Sequence, residues 1–226
     1  MRYGPSIVKN GLVLCLDAAD RNSYSGTGTV WKDISANNNS ATLAAGPGYS
    51  FSNGGYFTFN GSTQYALVNN SIISSVTNSS IFIWFYPTAA GQIISELGQS
   101  AINTSYHDSN IEISSGGVIS FSCWHGSLTN KVTSAQSFNS WYYLGFSYSG
   151  TLLTAYINGI SVGTTTFTRS GPGSLYYGLC ATDTTNMGTL GYGAGSMGNF
   201  KVYNRGLSAS EVLQNYNALK GRFKSL

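Results

Sequence analysis

The sequence has 226 residues, a length that fits one all-β domain and leaves little room for two ordinary domains. Hydrophobic residues make up 42% and aromatic residues 14% of the chain, which excludes a disordered or fibrous protein. Charged residues are only 8%, against about 25% in a typical soluble domain, so we expect a surface of Ser, Thr, Asn, Gly and Tyr. The net charge of +3 is scattered, apart from a basic C-terminal tail to which we assign no function, and predicts no nucleic-acid partner.

The N-terminal segment lacks the features of a signal peptide. Its one apolar run, residues 12–16, is too short for a signal-peptide core and ends at Asp17. No stretch approaches the roughly 20 apolar residues of a membrane helix. Cys15, Cys123 and Cys180 are odd in number and have no C-x-x-C spacing, which argues against a disulfide framework or a zinc site. Cys15 lies in an apolar run and Cys123 in a strand-like run, which indicates that these two are buried thiols. We expect a soluble product, made in a reducing cytoplasm without a signal peptide.

Short aromatic and β-branched runs predict strands along most of the chain. Asn60-Gly61 lies between two such runs and predicts a hairpin, and Asn158-Gly159 predicts a second hairpin with a type I′ turn. Residues 81–86 are apolar on both strand faces, which indicates a central strand covered on both sides. The predicted strands are residues 41–43, 56–59, 64–68, 81–86, 92–96, 118–124, 141–148, 152–157, 160–167 and 199–203.

One helix is predicted near the C-terminus, over residues 208–220. Ser208 can cap it and Glu211 can complete a capping box, while Gly221 is placed to end it. Its apolar face is predicted to dock on the strands and consists of Val212, Leu213, Tyr216 and Leu219. Many short strands without alternating helices favour an antiparallel sandwich of two sheets. We therefore predict a single domain over residues 1–226, with an N-terminal arm over residues 1–10.

Several segments resemble a known family. They are G-L-V-L-C-L-D-A (residues 11–18), W-K-D-I-S (31–35), Y-F-T-F-N-G (56–61), A-Y-I-N-G (155–159) and the closing N-F-K-V-Y-N-R-G-L-S-A-S-E-V (199–212). In this order they resemble the laminin-G-like, concanavalin A-like lectin/glucanase superfamily, with Gly206 as a minor departure from the usual Ala. The resemblance implies a jelly-roll sandwich. The opening and closing segments are similar to those of proteins that tailed bacteriophages carry on capsid or fibre surfaces.

The resemblance also directs attention to carboxylates, because the enzymes of this superfamily carry a catalytic pair on one strand. No Glu-x-Asp-x-Glu pattern occurs here. The nearest approach is Asp108-x-Asn110-x-Glu112, whose spacing predicts three side chains on one strand face. A polar strand edge is the favoured interpretation, so we predict no catalytic residue and keep a glycoside hydrolase using Asp108 and Glu112 as the lesser alternative.

Sugar binding needs an aromatic surface beside polar groups, since a pyranose has one apolar face and a rim of hydroxyls. Aromatic and histidine side chains at apparent strand ends are the candidates, although core packing is the commoner role of each. The candidate glycan-binding residues are Tyr106, His107, Trp124, His125 and Tyr192.

Calcium is the only cofactor that the sequence brings into question, because its ligands are carboxylate and carbonyl oxygens. Asp183 and Asn186 share one loop, where Asx-type turns are the simpler interpretation. Asp17 and Asp20 could meet in the first loop, but Asp17 is better placed to fix backbone amides. We predict no cofactor.

These observations favour a non-enzymatic phage virion surface protein, a capsid decoration or fibre component, as the function. Its partners would be virion structural proteins, including copies of itself, and host or environmental glycans, with no nucleic acid and no membrane insertion. The alternative is a freestanding carbohydrate-binding lectin.

Overall fold

The structure is a computed structural model that describes residues 5–72, 77–102, 107–125, 131–171, 174–181 and 191–223, with only the backbone of His107 and Ser109. Its strands form two sheets in which every paired strand is antiparallel. The first, here named the helix-side sheet, has the spatial order β14 (Ile160–Thr166), β13 (Leu152–Ile157), β12 (Tyr142–Ser149), β7 (Asn78–Pro87), β16 (Ala194–Tyr203), β5 (Tyr56–Asn60) and β4 (Gly48–Ser50), with β1 (Leu12–Asp17) also paired to β16.

The second sheet, here named the opposite sheet, faces the first. Its spatial order is β11 (Val132–Ala135), β10 (Val118–Phe121), β9 (His107–Ile113), β8 (Gly91–Leu97), β15 (Tyr176–Leu179), β6 (Tyr65–Val68), β3 (Ala41–Ala44) and β2 (Val30–Trp31). The two-sheet antiparallel sandwich predicted from the sequence is confirmed.

The main core lies between the two sheets, where both contribute alternate residues. Strand β7 is central in the helix-side sheet and is buried on both faces, as predicted. Its Ile83 and Phe85 face the main core, while Phe82 and Trp84 face a second apolar cluster on the outside of the same sheet.

The second cluster is covered by the helix and by both ends of the chain. Helix α1 (Ala209–Leu219) begins at Ser208 with the predicted capping box to Glu211. Asn215 joins the layers, because its Oδ1 accepts from the Val8 amide at 2.8 Å and its Nδ2 donates to the Tyr203 hydroxyl at 3.0 Å. The predicted helix face is wrong in one respect: Leu213 is exposed, since the buried stripe is centred on Asn215 and Val212.

The two Asn-Gly turns have different outcomes. Asn158 (φ 53°) and Gly159 (φ 82°) join β13 to β14 as the predicted hairpin. The hairpin predicted at Asn60-Gly61 is wrong, because β5 belongs to the helix-side sheet and β6 to the opposite sheet. The connection is an arch between sheets, in which Asn60 Oδ1 accepts the backbone N–H groups of residues 62, 63 and 64 at 3.0–3.2 Å.

All three cysteines are buried free thiols, as predicted for Cys15 and Cys123. Burial raises the pKa of Cys15 to about 11, so its thiol is protonated at neutral pH. Within the described ranges, no helix has the length and apolar character needed to cross a membrane.

Candidate functional site

The residues predicted to bind glycans do not form one site. Tyr106 lies outside the described residues, and so does the side chain of His107. His125 stacks on Phe167 with ring centroids 4.4 Å apart, and its Nδ1 lies 2.9 Å from the Cys123 carbonyl oxygen. The neighbouring Trp124 is half-buried.

Tyr192 lies elsewhere, half-buried and stacked on Tyr65 at 5.8 Å. Its stacking partner Tyr65 lies on β6, whereas His125 follows β10 in the chain. Strands β9, β8 and β15 lie between β10 and β6 in the opposite sheet, so the two positions are apart. The sugar-binding role of this set stays a prediction.

Asp108 and Glu112, the two carboxylates of β9, lie on different faces of their sheet. This corrects the prediction that they share one strand face. Ile94 pairs with Ile111 and the next residue of β8 pairs with Ser109, so β9 carries one extra residue, a β-bulge. Asp108 pairs with Glu96, which faces the core. Glu112 follows the core residue Ile111 and therefore faces outward.

A buried polar cluster occupies the core beside this bulge. Arg169 forms an ion pair with Glu96, and both side chains are almost fully buried. The Tyr177 hydroxyl donates to Glu96 Oε1 at 3.3 Å, and Arg169 Nη1 donates to Ser79 Oγ at 3.2 Å. Burial, and then the Glu96 carboxylate, raise the pKa of Tyr177 well above its ordinary value, so the hydroxyl remains a donor. Because the cluster lies between the sheets, it has a structural role.

The calcium candidates Asp183 and Asn186 lie outside the described residues. Asp17 fixes a backbone amide as predicted, since its Oδ1 accepts from the Ala19 N–H at 2.9 Å. In the part of the chain that the structure describes, no group of three or more acidic, histidine or cysteine side chains could hold a metal ion.

A polar groove of about 620 Å³ opens at the end of β1. Three segments that are distant in the sequence build it: the turn after β1, the 3₁₀ turn Ser52–Gly54, and the turn after α1. Gly55 lets the first two meet, because a Cβ there would lie 2.4 Å from the Ala18 carbonyl oxygen, at φ +136°. The lining residues are Asp17, Ala19, Asp20, Arg21, Asn53, Gly54, Gly221 and Arg222.

A bidentate ion pair fixes the floor of the groove. Arg222 Nη1 and Nη2 donate to Asp17 Oδ2 and Oδ1 at 2.7 and 2.9 Å, a geometry typical of strong charge-assisted hydrogen bonds. The next residue, Phe223, anchors this end of the chain by stacking on Trp84 at 4.4 Å. The C-terminal turn is therefore held in place both by the ion pair and by the packing of Phe223.

An exposed aromatic ring borders the groove. Phe51 immediately precedes the 3₁₀ turn and is 63% exposed, with the Arg21 guanidinium 5.9 Å from its ring centroid. The Tyr49 ring packs edge-on against Phe51, with ring centroids 4.9 Å apart. The Tyr49 hydroxyl donates to the Ala18 carbonyl oxygen at 2.8 Å. This site was not among the sequence predictions, although a Phe within the Ser-, Asn- and Gly-rich segment 50–55 is a recognisable signal.

Comparison with known proteins places the chain in a family. Residues 59–213 match the model of a laminin-G family described as the concanavalin A-like lectin/glucanases superfamily. No protein with a curated function matches the sequence significantly.

Solved structures share the fold at low sequence identity. Trypanosoma rangeli sialidase in complex with the inhibitor DANA has 12% identity and a TM-score of 0.68, covering 97% of this chain and 34% of its own. The receptor binding domain of botulinum neurotoxin C/D mosaic serotype has 14% identity and a TM-score of 0.67, covering 92% and 51%. Domain 4 of AbnA, a GH43 extracellular arabinanase from Geobacillus stearothermophilus, in complex with arabinotriose, has 15% identity and a TM-score of 0.61, covering 91% and 98%.

The chain thus spans about a third of the sialidase chain, half of the toxin chain and nearly all of the arabinanase domain. These likenesses concern the fold alone. The family match extends over well over half of the sequence and agrees with the two-sheet sandwich. The chain therefore belongs to the laminin-G family of the concanavalin A-like lectin/glucanases superfamily.

Proposed function

We propose that this protein is a non-enzymatic carbohydrate-binding protein of a phage virion surface, with its sugar site at the Asp17–Arg222 groove. The observation that carries the sugar-binding part is the exposed Phe51 ring beside a polar groove. An aromatic face suits the apolar side of a pyranose, and amide and charged groups suit its hydroxyls. The groove volume of about 620 Å³ falls in the range typical of small-ligand sites.

The separation of Asp108 from Glu112 supports a non-enzymatic role. A glycoside hydrolase places two carboxyl groups about 5–10 Å apart on either side of one bond. Here the sheet lies between the two, with Asp108 in the core and Glu112 on the outer face, where Gln92 Nε2 donates to it at 3.3 Å.

The similar structures offer further support for sugar binding. The domain of the Geobacillus stearothermophilus arabinanase is described in complex with arabinotriose, and sialidases are described in complex with sialic acid. A sugar-binding domain of about this size therefore exists on this fold.

The virion part of the proposal rests on the resemblance of the first and last segments to phage surface proteins and on the low charge of the chain. Exposed apolar side chains on the side of β14 and α1 would serve as the contact surface for neighbouring subunits. Ile160 is 69% exposed on this edge strand, and the adjacent Leu213 is also exposed. Display in many copies would make individually weak sugar contacts effective.

A glycan array followed by titration calorimetry tests the sugar site. Phe51→Ala is expected to weaken binding of the best array ligand about tenfold or more, because the stacking surface is lost. Ile160→Ala removes an equally exposed apolar side chain outside the groove and is the matched control. An empty array, or equal loss in both variants, would contradict the proposal.

The virion role has a separate test. Cryo-electron microscopy and quantitative mass spectrometry of purified phage particles should find many copies of the chain. Ile160→Glu should reduce incorporation into particles while retaining glycan binding. Phe51→Ala should weaken glycan binding while retaining incorporation into particles. Absence of the chain from particles would refute the virion role and leave a freestanding lectin.

A further inference from the structure

Three of the four carboxylate oxygens of the Asp17–Arg222 groove are already engaged within the protein. Asp17 Oδ1 accepts from the Ala19 amide and from Arg222, and Oδ2 accepts from Arg222. Asp20 Oδ1 accepts from both the backbone amide and the side-chain amide of Asn22, at 2.8 and 3.0 Å. Asp17 is therefore not well placed to bind sugar hydroxyls, whereas Asp20 Oδ2 has no hydrogen-bond partner among the described residues and can accept one.

Two donor groups of the groove, by contrast, have no hydrogen-bond acceptor. Asn53 Nδ2 and Arg222 Nε are hidden from solvent and have no hydrogen-bond partner in the described part of the chain. A buried donor without an acceptor costs free energy, which an acceptor entering the groove would recover. Arg21 is exposed and forms no ion pair with the carboxylates that the structure describes.

The Arg21 cation lies next to the aromatic surface. The Arg21 guanidinium is 5.9 Å from the Phe51 ring centroid, at the outer limit of a cation–π contact, and most of the ring stays exposed. An apolar surface thus adjoins a planar group that binds a carboxylate with two parallel hydrogen bonds. The 5.9 Å between the guanidinium and the ring centroid fits within one sugar unit.

We propose that the groove selects saccharides that carry a carboxylate, such as hexuronates or sialates. This inference rests on the sugar-binding function proposed above. The pyranose ring packs on Phe51, its carboxylate pairs with Arg21, and Asn53 donates to a ring substituent. Arg222 stays bound to Asp17 and holds the groove open.

Titration calorimetry with two matched ligand pairs tests the selectivity. The pairs are oligogalacturonate with its methyl ester, and sialyllactose with lactose. In at least one pair the acid should bind about tenfold more tightly than its neutral partner, as expected for a charge-assisted hydrogen bond. Arg21→Gln should bring that ratio close to one, and Arg21→Lys should keep part of it.

Lys131→Gln is the control variant, since it removes an exposed charge outside the groove and should leave the ratio unchanged. The selectivity is refuted if the neutral partner binds as tightly as the acid in both pairs, or if Arg21→Gln keeps the ratio. Equal binding of dextran sulfate would also refute it, by showing attraction to any polyanion. A chain that binds neutral sugars through Phe51 refutes this inference alone, whereas a chain that binds no sugar refutes the proposed function as well.

Discussion

Replacement of Arg169 by methionine tests the energetics of the buried polar cluster. The Arg169 side chain is 1% exposed and its Glu96 partner 0%, so the ion pair is out of reach of water. Methionine keeps much of the volume but leaves the Glu96 carboxylate in the core, with the Tyr177 hydroxyl at 3.3 Å as a neutral donor. Leaving a buried charge uncompensated costs about 3–5 kcal/mol.

That loss is large against the total stability of about 5–15 kcal/mol that is typical of folded proteins. With a slope of about 2 kcal/mol per molar urea, the unfolding midpoint of Arg169→Met should fall by about 2 M. The double variant Glu96→Gln/Arg169→Met removes both charges and should recover most of the loss, because an apolar or neutral replacement of a buried pair is often nearly neutral.

The control is Lys131→Met, which removes a 41% exposed cation 3.9 Å from Glu112 and should cost less than about 1 kcal/mol. Urea unfolding followed by tryptophan fluorescence measures all three variants. A single Arg169→Met cost below about 1 kcal/mol, or a double variant as unstable as the single one, would refute the view that uncompensated charge dominates.

Three further changes probe the packing and the pH response. Gly55→Ala places a methyl group 2.4 Å from a backbone oxygen at φ +136°, and should lower stability in thermal unfolding by at least about 2 kcal/mol. Asn215→Ala removes the buried acceptor of the Val8 amide and should cost about 1–3 kcal/mol, with faster proteolysis of the N-terminal arm as the readout. Hydrogen bonds from Arg205 lower the pKa of Glu211 from 4.5 to about 2, so the pair stabilises the fold above pH 4.5 and this contribution is lost as pH falls toward 2. Because Glu211 is 28% exposed, Glu211→Gln should cost about 1 kcal/mol at pH 7 in urea unfolding and progressively less as the pH falls from 4.5 toward 2.

Local signals predicted the elements whose structure is decided by neighbouring residues. The capping box at Ser208 and the type I′ turn at Asn158-Gly159 each depend on a few adjacent residues, and both are confirmed. The double-sided apolar pattern of residues 81–86 also predicted a covering layer on each face of β7, which the core and α1 provide. Local chemistry was sufficient in these cases.

Long-range pairing decided the cases that local signals missed. Asn60-Gly61 has the composition of a hairpin turn, yet the strands on either side pair with partners far along the chain, β16 and β15. A turn signal specifies a change of direction and leaves open which strands become neighbours. The groove has the same origin, since its three segments meet only after β1, the 3₁₀ turn and α1 have docked.

Register, rather than spacing, determines what the polar strand Asp108-Ser-Asn-Ile-Glu112 can do. In a regular strand, residues 108, 110 and 112 would share one face, and a carboxylate pair there would be a candidate for hydrolysis. One extra residue in β9 reverses that alternation, and Asn110 stabilises the bulge by donating to the Ser122 carbonyl at 3.2 Å. Asp108 thereby joins Glu96 in the core, and Glu112 remains on the outside. The bulge is visible only in the pairing of β9 with β8, so the spacing of these residues along the sequence could not predict which sheet face each carboxylate occupies.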